Sequence, residues 1–299
     1  MSALGSALTE RAQELTTRRE PFVRATVVRA EHPTSAHAGD SALVSQAGEI
    51  DGFVGGNCVE ASVREYSLRT LATGEPLLLR VVAGEPSHAH EEGAVEVSNP
   101  CLSGGAVEIF LEPWVPAPRV VVVGATPIAK ALQSLGAGLG LEMELTDGAT
   151  AAPRPDDAAL IVASHGRDEE PALEAALRAG VPYVALVASE KRGAAVLASL
   201  NVDDEQRSRV FSPAGLPLGA STPAEIALSV LAQLVSERSR RRPAEPSAPA
   251  TAIDPVCGMT VAAVEATLHA DYAGERVYFC SAGCRAAFLA DPERYAVAS

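Results

Sequence analysis

Five cysteines carry the most distinctive chemistry in this chain: Cys58 and Cys101 in its first part, and Cys257, Cys280 and Cys284 near its end. Thiolates are soft ligands, and they are also carriers of sulfur. Cys58 lies in Gly52-Phe53-Val54-Gly55-Gly56-Asn57-Cys58-Val59-Glu60, which reads as a strand end, a glycine turn and a helix start. Val59, Val63, Tyr66 and Leu71 recur at helical spacing among Glu60, Arg64, Glu65 and Arg69, so Cys58 falls near the first helical position. A helix start gathers unpaired amides, here with those of Gly55, Gly56 and Asn57 in front, and the positive end of the dipole. Both favour an anion and a thiolate. The plainer alternative is a small buried cysteine behind a tight turn. Cys101 opens a second such turn, Cys101-Leu102-Ser103-Gly104-Gly105 after Asn99-Pro100, and would complete a two-thiol site if the fold brings it beside Cys58.

The other three cysteines read as metal ligands. Cys280 and Cys284 are separated by three residues at a helix start, which can aim both sulfurs at one ion. Cys257 comes from the knuckle Asp254-Pro255-Val256-Cys257-Gly258-Met259, where Gly258 permits the turn. So short a segment buries too little surface to fold comfortably alone, and a metal is a usual remedy. Three soft thiolates suit Zn or Cu(I). His269, on the first strand of a hairpin around Ala273-Gly274, is the candidate fourth ligand. His88-Ala89-His90-Glu91-Glu92 lacks flanking periodicity that would fix ligands, and reads as a solvated turn.

The elements that must position these groups fall into an α/β chain of several domains. Leu4 to Arg18 has an amphipathic helical pattern. Strands are predicted at 22–30, 42–45 and 52–54, then, after the Cys58 helix, at 77–82 and 109–112 around a polar loop from Gly84 to Gly93. Pro113 to Pro118 marks a hinge. Arg119-Val120-Val121-Val122-Val123-Gly124, a turn and helix through Leu132, and a strand at 141–146 ending at Asp147 have the layout of a Rossmann unit. The glycine fingerprint is broken by Thr126 and Ala129, and Thr at the second glycine position blocks close backbone approach to a pyrophosphate. This argues against NAD. Further βα units at 159–163, 171–179, 183–187 and 194–200 imply a parallel sheet, with His165 just past a strand's C-terminal end, where such sheets bind ligands. Thr222-Pro223-Ala224-Glu225 is a capping box opening a helix to about Arg238. The expected domains are an N-terminal α+β domain (1–116), a Rossmann-like parallel-sheet domain (117–239), a linker (240–251) and a small C-terminal metal-binding α+β domain (252–299).

With 299 residues, 47% of them hydrophobic, the chain can build two or three cores. A formal charge of −14 argues against nucleic acid and against an anionic membrane surface. No run approaches a membrane span, and no basic segment leads into an apolar one at the start, so a cytoplasmic location is expected. An odd cysteine count in such a compartment points to ligands or thiols, not to a disulfide frame.

The run Gly55-Gly56-Asn57-Cys58-Val59-Glu60, with Ala25-Thr26-Val27-Val28-Arg29 before it, resembles the XdhC/CoxF family of molybdenum-enzyme maturation factors, whose usual turn reads Ser-Gly-Gly-Cys-Val/Leu-Glu. Here Asn57 replaces the glycine beside the cysteine. The resemblance continues at Asn99 to Gly105, at the strand-turn-helix from Val120, at Ser164-His165 and at Gly219 to Ile226. The tail is similar to a YHS domain through Cys257, Cys280, Cys284, Phe288 and Asp291-Pro292-Glu293-Arg294-Tyr295. The resemblance implies a cofactor chaperone rather than an enzyme. It would carry the molybdenum cofactor as cargo, support its sulfuration, with a cysteine desulfurase as a partner, and serve a molybdenum hydroxylase client. The implied site comprises Cys58, Gly55, Gly56, Asn57, Cys101, Gly104, Gly105, Gly124, Asp147 and His165, and a homodimer is an admissible assembly. The Gly-Phe-Val-Gly-Gly turn and the metal tail look most like the CoxF branch, associated with aerobic carbon monoxide dehydrogenase. Two other readings stay open: a Rossmann oxidoreductase with a redox cysteine pair, and a metal-responsive scaffold.

Overall fold

A computed structural model describes residues 3–84, 91–99, 105–241 and 249–295. Alternation of apolar and polar residues makes Phe22–Glu31 (β1) the centre of the first sheet, since a strand puts successive side chains on opposite faces. Helix Ala3–Thr17 (α1) precedes it, and Ser41–Ser45 (β2), Ile50–Gly52 (β3), helix Asn57–Thr73 (α2), Leu77–Ala83 (β4), Ala94–Asn99 (β5) and Ala106–Trp114 (β6) follow. The sheet order is β3-β2-β1-β6-β4-β5, antiparallel except for the parallel pair β4 and β5. Val23, Ala25 and Val27 of β1 pack with Val59 and Val63 of α2 in the main core. Phe22 points the other way, to Ala12 and Leu15 of α1, and its ring stacks on Trp114.

Two features here depart from the sequence reading. The polar stretch before residue 109 contains a strand, β5, which pairs in parallel with β4 and packs Val97 against the main core. The strand expected at 52–54 ends at Gly52, because Gly55, at φ 141°, begins the turn into α2.

The second compact unit spans Ala117–Ala244. Its elements are Arg119–Val123 (β7), Pro127–Gly138 (α3), Glu142–Thr146 (β8), Ala159–Val162 (β9), Glu169–Ala179 (α4), Val184–Leu186 (β10), Glu190–Ser199 (α5), Asp204–Ser208 (α6), Val210–Phe211 (β11) and Pro223–Arg241 (α7). All five strands are parallel, in the order β11-β10-β9-β7-β8. Their continuous apolar runs follow from burial on both faces. Val120 and Val122 face α3 and α7, whereas Val121 and Val123 face α4 and α5. Arg119, almost fully buried, is neutralised by Asp157 at 2.5 Å and Glu144 at 2.8 Å.

The tail contains two antiparallel pairs, Thr251–Ile253 (β12) with Thr260–Ala262 (β13) and Leu268–Tyr272 (β14) with Glu275–Phe279 (β15), followed by helices Ala282–Ala290 (α8) and Pro292–Tyr295 (α9). Its own core is small: Phe279 and Phe288 pack ring to ring at 5.3 Å, and Tyr272 meets Phe288 edge-on. The tail belongs to the same compact unit as residues 1–116. The reason is a shared apolar cluster in which Ala61 of α2 is buried with Met259, Val261 and Cys280.

Candidate functional site

The tail brings its three cysteines together. The Sγ of Cys257 lies 3.6 Å from that of Cys280, and the Sγ of Cys280 lies 3.7 Å from that of Cys284. Local structure sets each one. Asp254 to Met259 closes a knuckle through Gly258 N donating to Asp254 O at 2.8 Å, with Gly258 at φ 78°. Ser281 caps α8 by accepting from Cys284 N at 3.2 Å, which fixes Cys284 in the first helical turn, one turn past Cys280.

None of the four described cysteines is disulfide-bonded, and the spacing is far longer than the ~2 Å of an S–S bond. A tetrahedral ion with bonds of about 2.3 Å to sulfur spaces its sulfurs about 3.8 Å apart, so the observed edges fit a thiolate-bound metal. Without one, the thiols hold their protons: the hydrogen bond with Cys280 and then burial push Cys257 up, and burial pushes Cys284 up. A bound cation reverses this and deprotonates coordinating thiols outright.

The fourth member of this group is Asp254, not His269: ligand atoms of Asp254, Cys257, Cys280 and Cys284 all lie within 4.8 Å of one another. His269 sits on β14, where its Nδ1 is 2.8 Å from the carbonyl of Thr267 and its ring lies against Tyr278. In the hairpin register His269 stands opposite Tyr278. Asp254 was legible only as a turn residue of the knuckle, and its carboxylate is used accordingly, accepting from Val256 N at 2.9 Å and from Cys280 N at 2.8 Å.

Cys58 is the second residue of α2, after Gly56 in the capping position. Gly56 offers no side chain, so no side-chain cap occupies the helix start. Gly55 must be glycine, both for its positive φ and because a Cβ there would press on Val59. Cys58 is half-buried and packs against the cluster that holds Cys257, Cys280 and Cys284. No feature of the sequence signalled this approach.

Gly56, Asn57 and Cys58 also line a cavity of about 700 Å³, together with His32 to Ser35, Gly105, and Ser281 and Gly283 of the tail. Small-molecule pockets commonly measure roughly 300–1,000 Å³. Gly105, at φ 95°, lies against the carbonyls of Glu31 and Pro33, and no Cβ fits there. It thereby holds the 31–35 loop over the cavity. Cys101 and Gly104 lie outside the described residues, as do His88 and His90.

In the parallel-sheet unit, Gly124, Asp147 and His165 converge on another cavity, of about 960 Å³, at the C-terminal ends of β7, β8 and β9. This is the crevice where ligands of such sheets bind. Thr126 caps α3 by accepting from Ala129 N at 3.2 Å and donates to the carbonyl of Ala163 at 2.8 Å. Its side chain therefore ties β7 to β9 at the position where the dinucleotide fingerprint has glycine. Asp147 is engaged locally, accepting from Thr150 N and Oγ1 at 2.8 Å each, and these bonds hold its carboxyl below the usual range.

His165 and Asp168 adopt left-handed φ of 56° and 49°, a conformation that side chains rarely take and that concentrates at functional loops. Glu169, which the sequence did not single out, sustains it. Its carboxylate accepts from Gly166 N at 2.8 Å and Ser164 Oγ at 3.1 Å, and pairs with Arg192 at 2.7 Å. Burial opposes its charge, yet the Arg192 and Gly166 bonds prevail and hold its pKa below the usual value.

The chain matches the model of the XdhC and CoxI family over residues 15–82, the XdhC Rossmann domain over 120–234 and the YHS domain over 252–299. It is 29% identical over 248 residues to "Uncharacterized protein YqeB" of Escherichia coli strain K12, covering 73% of this chain and 44% of that protein. It is 27% identical over 157 residues to a protein of Bacillus subtilis strain 168 described as a probable xanthine dehydrogenase subunit, covering 44% and 46% respectively. The chain thus spans less than half the length of these curated relatives. A solved structure described as a xanthine dehydrogenase from Bacillus halodurans aligns over 81% of this chain and 97% of its own, with 18% identity and a TM-score of 0.38. Along its length the chain thus carries, in succession, a region of the XdhC and CoxI family, an XdhC Rossmann domain and a YHS domain.

Proposed function

We propose that this protein is a maturation factor for a molybdenum hydroxylase, binding the molybdenum cofactor as cargo and supporting its sulfuration and insertion. The observation that carries the reading is the cavity at the start of α2, where a half-buried thiol, an uncapped helix N-terminus and a glycine-bounded loop face one space. The helix start favours the cofactor's phosphate. The thiol of Cys58 is a soft donor for molybdenum or a carrier for sulfur. The match to the XdhC and CoxI family and the name of the Bacillus subtilis relative support the class of client. Aerobic carbon monoxide dehydrogenase is the client suggested by the metal-binding tail, and a cysteine desulfurase is the fitting sulfur donor.

The tail's donor set suits one Zn or Cu(I) ion on Cys257, Cys280 and Cys284. When bound, that ion supplies cross-linking of the knuckle, hairpin and helix, which an apolar core this small does not.

Incubation of the purified full chain with released molybdenum cofactor, followed by gel filtration, tests the reading. Pterin fluorescence and molybdenum should elute together with the protein. Their elution at the free-cofactor volume would sink it.

A further inference from the structure

We propose that Cys58 is the fourth thiolate of the tail's metal site, so that one ion is held by Cys58, Cys257, Cys280 and Cys284 and joins α2 to the tail. Two edges among the tail's sulfurs, Cys257 to Cys280 and Cys280 to Cys284, already stand at the tetrahedral distances of 3.6 and 3.7 Å, and Cys58 packs from α2 against the apolar cluster that contains Cys280. Cys58 and the tail cysteines pack on a single apolar cluster with Ala61, Met259 and Val261, in which Cys280 is buried and the other three are half-buried.

The alternative donor within the tail, Asp254, is fully buried with each carboxylate oxygen already accepting a backbone amide, from Val256 and from Cys280. Its oxygens hold the knuckle, and a soft ion prefers sulfur to a carboxylate so engaged. Charge also favours this arrangement. Four thiolates leave a divalent ion with a net charge of about −2, and two helix starts face it: Cys58 is the second residue of α2 and Cys284 the third of α8. On binding, each thiol releases its proton to solvent and the ion keeps its oxidation state.

The consequence concerns the 700 Å³ cavity. Ser281 and Gly283, flanking the tail's ligands, line it beside Cys58, so the ion fixes that wall and draws the Cys58 sulfur toward the tail. The ligand assignment does not depend on what the cavity binds.

The test uses Co2+ and Zn2+ alone on the full chain after chelator treatment. Titration with Co2+ should give sulfur-to-cobalt charge-transfer absorption that falls by roughly a quarter in Cys58→Ser, one ligand in four. The affinity should fall at least ~10-fold, the lower end of what losing even an outer partner of a ligand costs. In the wild type, Zn2+ should protect Cys58 from iodoacetamide, read by peptide mass spectrometry, and Cys280→Ser should abolish that protection. Unchanged cobalt absorption and affinity in Cys58→Ser, or equal alkylation of Cys58 with and without Zn2+, would overturn the proposal. Neither readout involves the molybdenum cofactor, so a failure of cofactor binding is seen separately.

Discussion

The sulfurs of Cys257 and Cys280, 23 positions apart in sequence, stand 3.6 Å from one another, one delivered by a knuckle and the other by the end of a strand. Two thiols so placed in apolar surroundings are stabilised by an ion between them more than by each other. Chelation of the full chain is therefore expected to lower the melting temperature of the unit containing the tail, and Zn2+ to restore it. Differential scanning calorimetry with and without chelator checks this. An unchanged melting profile, together with no bound metal by elemental analysis, would reject a structural ion.

Cys58→Ser keeps the size of the side chain and the turn but removes the soft donor. In chelated protein it should fold with an unchanged melting temperature and lose most retained molybdenum cofactor. A purely structural cysteine would instead lower the melting temperature and leave cofactor per folded molecule unchanged. Gel filtration with pterin detection, paired with a thermal melt, separates the two.

Gly105→Ala tests the cavity by its wall. The added Cβ runs into the carbonyls of Glu31 and Pro33, and φ is 95°, so the loop must move or the backbone must strain by about 1–3 kcal/mol. Cofactor retention should fall more than tenfold, while metal binding by the tail cysteines, measured with Co2+, stays within about twofold. Equal losses of both would place the effect in global stability.

Glu169 makes the sheet-end loop sensitive to acid. Its folded pKa lies below the 4.5 of an ordinary glutamate because bonds from Arg192, Gly166 and Ser164 outweigh burial. The stabilisation is therefore present above that value and is lost as pH falls below 4.5 toward the folded pKa. Glu169→Gln should cost roughly 1–3 kcal/mol at neutral pH and flatten the decline of stability below pH 4.5. Chemical denaturation of the two proteins at several pH values measures both effects; parallel pH profiles would contradict the assignment.

Much of this protein was legible in its sequence because the signals were local. The valine-rich run ending at Gly124, the capping box at Thr222 and the Cys280-x-x-x-Cys284 spacing each dictate backbone geometry within a few residues, and β7, α7 and the start of α8 appear where those signals lie. Strand β5 was missed because its alternation is short and sits inside a polar stretch whose partner, β4, is fixed only by sheet pairing. The candidate ligand His269 lies on β14 opposite Tyr278, with its Nδ1 at the Thr267 carbonyl, and proximity in sequence did not signal that Asp254 is the residue grouped with the three sulfurs. The sequence by itself determined the cysteine knuckle, the glycine turn before Cys58 and the parallel-sheet unit, all set by short-range sterics and periodicity. Only the tertiary structure decided that α2 offers Ala61 and Cys58 to Met259, Val261 and Cys280, because burial of a small tail's apolar face depends on which neighbour has a complementary surface, and no local pattern encodes that choice.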